Sequence, residues 1–347
     1  MRTIAASAPV TGCSCARAGL LGNPGDAYGG KAIGLAVRNF RACVTIAPAD
    51  RLTLRPGPSD RLDFPGLREA CGTLRRTGCE DGMRLLRAAL SRFSGQFPEL
   101  LALPDDDPRV RFEMRYETDV PRQVGLAGSS AIITAALRAL ARWFGVEIAP
   151  ALLAELALAA ELAELRIVAG AMDRVVQAYE GVILMDLAEP RSEASYRRLD
   201  PALLPPLLVA WDPAGAEASG RAHGDLRSRW ERGDPELREA MHELREIVDA
   251  GVRCLEGGDA EGLRRLVDRN FDIRARIFRI READRRVVAL ARERGAAAKL
   301  CGSGGAVLLL PKSASEALAL ATAVREAGYD ALVPRVAPEA AETAVAL

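Results

Sequence analysis

The chain has 347 residues and a mass of 37.1 kDa, and 49% of its residues are apolar, which suffices for a sizeable core in about two domains. Its 47 basic and 47 acidic residues cancel, so no overall positive field would attract nucleic acid or an anionic membrane. We therefore expect a small molecule as its partner, no nucleic acid and no membrane. The sequence leaves the oligomeric state open.

Seven cysteines are scattered along the chain, an odd number without the layout of a disulfide framework. We therefore expect reduced thiols and a cytoplasmic protein. The residues before Cys13 lack the continuous apolar region of a secretion signal. The most apolar long segment, 151–172, is interrupted by charged residues and does not fit a membrane span. His223 and His242 lie outside any pattern with metal-ligand spacing.

The order of predicted elements indicates an α+β protein. Residues 1–60 have short apolar runs separated by Gly, Pro and Asp, which predicts strands on either side of a glycine-rich loop at 22–30. Apolar periodicity then predicts the following elements: helix within 67–103, strand Val110–Tyr116, helix after a loop at 121–130, helix 151–165, helix Asp173–Tyr179 and strand Gly181–Leu187.

Residues 188–204 are polar and contain prolines, so they are the best linker candidate. The second half then fits a compact α+β domain. Its predicted elements are the following: strand Leu207–Trp211, helices through 226–256 and 259–293, a glycine loop at 302–305 between two strands, of which the second is Ala306–Leu310, helix 313–327 and a strand near 330–336.

The strongest local signal is the loop Pro121-Arg-Gln-Val-Gly-Leu-Ala-Gly-Ser-Ser-Ala131, which runs directly into a predicted helix. A helix N-terminus presents unpaired N–H groups, and small residues let a phosphate approach the backbone. The hydroxyls of Ser129 and Ser130 can bind Mg²⁺ or a phosphate oxygen. The loop is not a Walker A motif, because no lysine follows the glycines. An ordinary turn with a serine cap is the alternative.

Two further glycine-rich loops lie far apart in the sequence. In the first, residues 17–30, Asn23, Asp26 and Tyr28 offer donors and acceptors for several hydroxyls at once. The second, residues 299–306, lies between two apolar segments and carries one of only three lysines in the chain. Taken alone, either loop could be an ordinary turn, the second one in a β-hairpin.

A pair of carboxylates, Glu161 and Glu164, precedes Asp173. At i and i+3 of a helix the two glutamates share one face, and paired carboxylates are costly unless they meet a cation. A solvated helix surface is the alternative interpretation.

These loops, in this order, resemble the three motifs of the GHMP kinase superfamily, which includes galactokinase, homoserine kinase, mevalonate kinase and phosphomevalonate kinase. The corresponding residues are 16–30, 121–131 and 299–307. Longer stretches resemble the glucuronokinase group of that superfamily and are spread over most of the chain. They are residues 16–30, 121–132, 167–177, 229–234 and 270–274.

The resemblance implies the GHMP kinase fold, with a ribosomal protein S5 domain 2-like N-terminal domain at residues 1–200 and a ferredoxin-like C-terminal domain at 201–347. It also implies a phosphotransferase that uses ATP and Mg²⁺ and accepts a sugar or sugar acid. For the glucuronokinase group the acceptor is the anomeric hydroxyl of D-glucuronate, and the product is glucuronate 1-phosphate.

Site residues follow from the resemblance position by position. Asp173 would take or orient the proton of the acceptor hydroxyl, and Arg17 would stabilise charge on the transferring group. Mg²⁺ would bind Ser130, with Ser129 as the alternate, and Glu161, with Glu164 as the alternate. The ATP phosphates would contact Gly125, Leu126, Ala127, Gly128, Ser129, Ser130 and Ala131. The sugar would contact Arg17, Asn23, Asp26, Tyr28, Gly302, Ser303 and Gly304.

Two positions depart from the superfamily pattern. Asn23-Pro24 stands where galactokinases carry Glu-His, which argues against galactose, and Arg166 stands where glycine is common. A uronate carboxylate requires a cation, most efficiently an arginine. The candidates are Arg122, Arg174, Arg227 and Arg229. The alternatives are a GHMP kinase for another acceptor, such as a heptose phosphate, arabinose, fucose, galactose or an isoprenoid precursor, and a non-catalytic member that binds a sugar or nucleotide.

Overall fold

The computed structural model describes residues 8–55, 82–167, 169–188, 192–215 and 220–337. The chain divides into two compact units, each assembled from several stretches. The first unit takes residues 1–14, 41–119 and 128–167, and the second takes 15–40, 120–127 and 168–347. Strands β1 (Val10–Leu21) and β2 (Lys31–Pro48) contribute residues to both units. The domain boundary at residue 200 stays a prediction.

The first unit contains part of a six-stranded sheet and three helices. Residues 42–48 of β2 pair antiparallel with β4 (Phe112–Thr118), and β3 (Thr53–Leu54) pairs parallel with β4. The helices are α1 (Gly82–Gln96), α2 (Gly128–Phe144) and α3 (Pro150–Ala159). The predicted helix within 67–103 is confirmed for residues 82–96, and residues 67–81 lie outside the described residues.

Helix α2 is the centre of the first unit because its sequence is rich in Ala, Ile and Leu on most of its surface, and 11 of its 17 residues are buried. A Cβ atom at Gly12 of β1 would lie 2.4 Å from the Ala135 carbonyl oxygen, so glycine permits the strand to lie against the helix backbone. At the other end, Trp143 donates its indole N–H to the Arg109 carbonyl at 2.9 Å.

The expectation that the cysteines are all reduced is wrong for one pair. Cys13 and Cys43, on the adjacent strands β1 and β2, form a disulfide. The pairing of those strands brings the two cysteines together across a separation of 30 residues, a proximity that cysteine counting does not reveal. Among the described cysteines, Cys15, Cys254 and Cys301 form no disulfide.

In the second unit, residues 31–35 of β2 pair antiparallel with β5 (Val182–Asp186), which pairs with β6 (Tyr196–Leu199). The predicted linker 188–204 is therefore wrong in part, because it contains a strand of the sheet. Helix α4 (Met172–Tyr179) packs against this sheet. A Cβ atom at Gly34 would lie 2.5 Å from a methyl group of Val176, so the glycine allows the helix to approach.

The rest of the second unit has the β-α-β-β-α-β order of ferredoxin-like domains. An antiparallel sheet with strand order β10-β7-β9-β8 is formed by β7 (Leu208–Trp211), β8 (Ala297–Leu300), β9 (Ala306–Leu310) and β10 (Asp330–Leu332). Between β7 and β8 come α5 (Gly220–Glu231), α6 (Pro235–Glu256), α7 (Ala260–Ile277) and α8 (Glu282–Glu293), and α9 (Ala314–Glu326) joins β9 to β10.

The predicted helical stretches 226–256 and 259–293 are each interrupted. Gly233 has a φ of +75° and ends the first piece, and the Asp234 side chain then caps α6 by accepting from the Leu237 N–H at 3.2 Å. Residues 278–281 separate α7 from α8. Strand 306–310 and helix 313–327 are confirmed. Within the described ranges, no helix combines the length and apolarity that crossing a membrane requires.

Candidate functional site

The three glycine-rich loops come together in the second unit at the end of strand β1. The N–H of Arg17 donates to the Leu126 carbonyl at 3.2 Å, and the N–H of Gly19 donates to the Cys301 carbonyl at 2.7 Å. Backbone hydrogen bonds thus join the loop at 17–30 both to the loop at 121–127 and to the loop at 299–306.

Glycines have a steric role where the loop at 121–127 contacts the loop at 299–306. A Cβ atom at Gly125 would lie 2.2 Å from the Gly304 carbonyl oxygen, and one at Gly302 would lie 2.5 Å from the Gly125 carbonyl oxygen. A Cβ atom at Gly305 would lie 2.9 Å from the Val124 backbone. Because the two backbones touch, side chains at these positions would push the loops apart.

The loop that precedes helix α2 holds two non-glycine residues in the left-handed region. Gln123 has a φ of +58° and Ala127 a φ of +64°. Each such residue costs about 1 kcal/mol or more and persists only where neighbours enforce it. Gln177 of α4, fully buried, supplies that support by donating to the Ala127 carbonyl at 2.9 Å and to the Cys15 carbonyl at 3.2 Å. Nothing in the amino-acid sequence assigns Gln177 this role.

Asp173 and Arg17, the predicted catalytic pair, are in direct contact. Nε of Arg17 donates to Oδ1 of Asp173 at 2.5 Å, and Nη1 of Arg17 donates to the Gly125 carbonyl at 2.7 Å. Burial lowers the pKa of Arg17, but the adjacent Asp173 carboxylate outweighs burial and raises it overall. One guanidinium therefore connects the carboxylate to the loop at 121–127, which is called the phosphate loop below after its expected role.

A second guanidinium lies beside the same carboxylate. Nη1 of Arg174 donates to the Gly170 carbonyl at 2.8 Å and lies 3.4 Å from Oδ2 of Asp173. Burial, together with repulsion from Arg17, lowers the pKa of Arg174 to about 9. The first turn of α4 thus presents Asp173 with a guanidinium near each of its two carboxylate oxygens.

The predicted sugar ligands Asp26 and Tyr28 lie in the turn Gly25–Tyr28. Oδ2 of Asp26 accepts from the Met172 N–H at 3.4 Å, next to Asp173 in the chain. Burial and the negative charge of Asp173 raise the pKa of Asp26. The Tyr28 ring packs on Trp230 with 5.0 Å between ring centroids, and burial raises the Tyr28 pKa to about 12.

Asn23, also predicted to contact the sugar, is turned inward onto Lys299. Nζ of Lys299 donates to Oδ1 of Asn23 at 2.5 Å, to the Gly19 carbonyl at 2.7 Å and to the Leu300 carbonyl at 2.9 Å. Asn270 of α7 donates to the Asn23 carbonyl at 3.1 Å. These bonds fix the start of residues 22–30. We call these residues the acceptor loop, after the sugar-binding role that the sequence predicts for them. Burial lowers the pKa of Lys299 to about 7.

The candidate metal ligands lie in the first unit. Helix α3 continues as a single π-helical turn, Ala160–Glu164, of the kind often found at functional sites. Glu161 on this turn is fully buried, and its Oε1 accepts from the Ser129 hydroxyl at 3.2 Å. Glu164 instead pairs with Arg92 at 2.8 Å. The two glutamates therefore have separate partners, and the expectation of one shared face fails because the turn is not α-helical.

Hard oxygen donors of this kind fit Mg²⁺, which usually binds one or two protein side chains and completes its shell with phosphate oxygens and water. Ser129, the alternate of the sequence prediction, contacts Glu161, and Ser130 beside it is buried. Within the described part of the chain, no three His, Cys, Asp or Glu side chains group as a metal site. A cation would therefore need the phosphates as further ligands.

Comparison with known proteins gives a family for this arrangement. Residues 85–181 match the family described as GHMP kinases N terminal domain, and residues 240–330 match GHMP kinases C terminal. Glucuronokinase 1 of Arabidopsis thaliana is 35% identical to the chain, with 96% of this chain and 94% of that protein covered. The chain belongs to the GHMP kinase family. Probable glucuronokinase 2 of the same plant is 36% identical, with 91% of this chain and 88% of that protein covered.

The fold of this GHMP kinase agrees with the assignment. The structure of Lactococcus lactis galactokinase complexed with galactose superposes with a TM-score of 0.73, covering 94% of this chain and 93% of that chain at 12% identity. The predicted fold, with its S5 domain 2-like N-terminal and ferredoxin-like C-terminal parts, is confirmed at the level of the GHMP kinase fold.

Of the four arginines considered for a carboxylate, Arg174 lies beside Asp173. Arg227 acts on Tyr28, where its positive charge opposes the larger effect of burial on the Tyr28 pKa. Arg229 donates to Asp234 at 2.7 Å and to Glu236 at 3.1 Å. Arg227 is half-exposed and pairs with Glu231, and Arg122 is exposed. The structure adds a buried arginine that the sequence analysis missed, Arg274 of α7, whose Nη2 donates to the Ser303 carbonyl at 3.1 Å.

Proposed function

We propose that this GHMP kinase transfers the γ-phosphoryl group of ATP to the anomeric hydroxyl of D-glucuronate and forms glucuronate 1-phosphate. The observation that carries the proposal is the Arg17–Asp173 pair, held at 2.5 Å at the junction of the three glycine-rich loops. The two plant relatives, at 35% and 36% identity, carry glucuronokinase in their names, which supports glucuronate as the acceptor.

Asp173 supplies the base in this proposal. Its side chain is 18% exposed, so an acceptor hydroxyl can reach it. Oδ1 is held by Arg17, and Oδ2, which Arg174 approaches to 3.4 Å, would take or orient the hydroxyl proton. Arg17 holds Oδ1 in place and directs positive charge toward the phosphate loop through Gly125. A preorganised guanidinium there stabilises charge that develops during transfer without reorganisation.

The phosphates of ATP are assigned to residues 125–131, which run without interruption into helix α2. Backbone N–H groups at the start of this helix and the positive end of its dipole favour an anion. Glu161 with Ser129 or Ser130 would hold Mg²⁺, which supplies charge neutralisation at the phosphates when bound. The fully buried Glu161 carboxylate, bonded to a hydroxyl, suits such a role.

The sugar is assigned to the acceptor loop and the C-terminal glycine loop. Asp26 and Tyr28 offer an acceptor and a hydroxyl group, and Gly302, Ser303 and Gly304 offer backbone groups. Asn23 acts indirectly, because its side chain is bound to Lys299. Arg17 contacts both the phosphate and the acceptor in this assignment. A cytoplasmic location, where ATP is available, forms part of the proposal, although the Cys13–Cys43 disulfide is of a kind that is rare there.

The test is a substrate panel. Purified protein with Mg·ATP is assayed for ADP release with glucuronate, galacturonate, galactose, glucose, arabinose, fucose and a heptose 7-phosphate. The proposal predicts that glucuronate has the highest kcat/KM of the panel. Preference for a neutral sugar would leave a GHMP kinase with another acceptor. Silence across the panel, with Mg·ATP binding retained, would favour a non-catalytic binding protein.

A further inference from the structure

Arg274 is a buried cation without an anion of its own. It is 1% exposed, its Nη2 donates to the Ser303 carbonyl at 3.1 Å, and its guanidinium lies 4.8 Å from the centre of the Phe278 ring. Within the described ranges, Nε has no hydrogen-bond partner, and no carboxylate oxygen lies within the 4.0 Å of an ion pair. The equally buried Arg17, by contrast, has Asp173 at 2.5 Å.

Such an arrangement is costly for the protein alone. A guanidinium carries five N–H donors, and burying its charge without a paired anion is strongly unfavourable. Burial lowers the pKa of Arg274 to about 10, and the carboxylates of Asp26 and Asp284 offset it only in part. Asp284 is itself engaged, because it accepts from the Gly305 N–H at 3.1 Å and lies 3.6 Å from Arg281.

The location of Arg274 points to the acceptor. It bonds to Ser303 of the C-terminal glycine loop, and Asp26 of the acceptor loop is the carboxylate that acts on it most strongly. Arg17 is already committed to Asp173 and to Gly125 of the phosphate loop. Arg174 is committed to Gly170 and lies against Asp173. Of the three buried guanidiniums in the described part of the chain, Arg274 is therefore the one with no carboxylate within ion-pair distance.

We propose that Arg274 binds the carboxylate of the sugar acid and so makes the enzyme prefer a uronate to an uncharged sugar. The proposal rests on the function proposed above and deepens it. A guanidinium matches a carboxylate through two parallel N–H···O bonds, and an incoming carboxylate would supply the counterion that Arg274 lacks. The hydrogen bond to Ser303 and the contact with Phe278 hold the guanidinium in a fixed place.

The experiment compares wild type with Arg274→Gln and Arg274→Lys on two substrates that differ only in charge, D-glucuronate and D-glucuronamide. Arg274→Gln should lower kcat/KM for glucuronate by about 100-fold or more, because a buried charge pair loses one partner. The kcat/KM for glucuronamide and the Kd of Mg·ATP should stay within about threefold of the wild-type values. Arg274→Lys keeps the charge but cannot form two parallel hydrogen bonds to a carboxylate, so its kcat/KM for glucuronate should lie between those of wild type and Arg274→Gln.

The matched control is Arg292→Gln. Arg292 also lies over a phenylalanine of α7, with 5.1 Å to the Phe271 ring, but it has Asp268 and Asp272 as partners at 2.8 and 3.0 Å. Arg292→Gln should leave the ratio of kcat/KM for glucuronate to kcat/KM for glucuronamide unchanged. The ratio of kcat/KM for glucuronate to that for glucuronamide is measured on one preparation, so a loss of folded protein affects both values equally. If Arg274→Gln does not fold, Arg274→Lys provides the test.

Three outcomes would overturn the assignment. Equal losses on glucuronate and glucuronamide would make Arg274 a structural residue, and a large rise in the Kd of Mg·ATP would move it to the phosphates. In both cases an active wild type leaves the proposed function intact. If the wild type does not phosphorylate glucuronate at all, the proposed function fails, and the carboxylate assignment fails with it.

Discussion

Replacing Lys299 with methionine tests whether the acceptor loop is held by a buried ammonium group. The ammonium has three N–H donors, and the structure gives it three oxygen acceptors, on Asn23, Gly19 and Leu300, at 2.5, 2.7 and 2.9 Å. Methionine fills a similar volume but donates nothing. The oxygens of Gly19, which precedes the acceptor loop on β1, and of Asn23, at the start of that loop, would lose a buried charged donor.

The size of the effect follows from those bonds. A hydrogen bond to a charged group is worth about 1.5–3 kcal/mol, so three amount to several kcal/mol. Removing the buried charge recovers part of this, because burial is unfavourable enough to bring the Lys299 pKa from 10.5 to about 7. We expect a net loss of about 2–4 kcal/mol and, at roughly 2 °C per kcal/mol for a chain of this size, a Tm lower by about 4–8 °C.

Thermal unfolding measures the loss of stability in Lys299→Met, and steady-state kinetics measure the effect on acceptor binding. The KM for the acceptor should rise by about 10-fold or more while the KM for ATP changes little, because the network holds the acceptor loop. Lys31→Met is the control, since Lys31 makes a partly exposed ion pair with Asp249 at 2.7 Å that should be worth less than about 1 kcal/mol. A Lys299→Met protein with wild-type Tm and acceptor KM would refute the reasoning.

The same network predicts a pH dependence. The folded-state pKa of Lys299, about 7, lies below its ordinary value of 10.5, so between these pH values the unfolded chain binds more protons than the folded one. Stability contributed by this site therefore rises with pH across that window and is constant below it. Above pH 7 the neutral amine has two donors for three acceptors, so the acceptor KM should rise there in wild type and not in Lys299→Met.

Two further expectations follow from the first unit. Glu161→Gln should raise the Mg²⁺ concentration for half-maximal rate by roughly 10-fold or more, while Glu164→Gln, which only breaks a partly exposed pair with Arg92, should leave it unchanged; equal effects would contradict the separation of the two glutamates. Peptide mapping without reductant should find Cys13 linked to Cys43, and alkylation of both thiols in the unreduced protein would count against the disulfide.

Elements with strong local signals were predictable. Strand 306–310 is a continuous apolar run that ends at Pro311, and helix α9 begins at a serine cap, Ser313. The strand Tyr196–Leu199 was missed because its sequence, Tyr-Arg-Arg-Leu, gains its conformation from pairing with β5. Periodicity alone also could not locate the breaks inside 226–256 and 259–293, which depend on a capping aspartate and a left-handed glycine.

The site residues likewise include some that the sequence predicts and some that depend on distant partners. Arg17 and Asp173 occur in motif-bearing stretches, so the sequence predicted them and the structure brings them to 2.5 Å. Gln177 and Arg274 also lie in such stretches, 167–177 and 270–274, but the sequence assigns neither of them a role, because their partners come from loops far away in the chain. Lys299 had a weak signal, as one of three lysines, but its contact with Asn23 spans 276 residues.

The central claim is that Asp173 drives transfer to the anomeric oxygen of glucuronate, and ³¹P NMR of the reaction with wild type and Asp173→Asn tests it most directly. The account predicts a single anomeric phosphate signal from wild type. Asp173→Asn should bind Mg·ATP normally but turn over about 1,000-fold more slowly, because the substitution removes the base and its charge while keeping the volume. A phosphate on another hydroxyl, or unchanged turnover in the variant, would contradict the account.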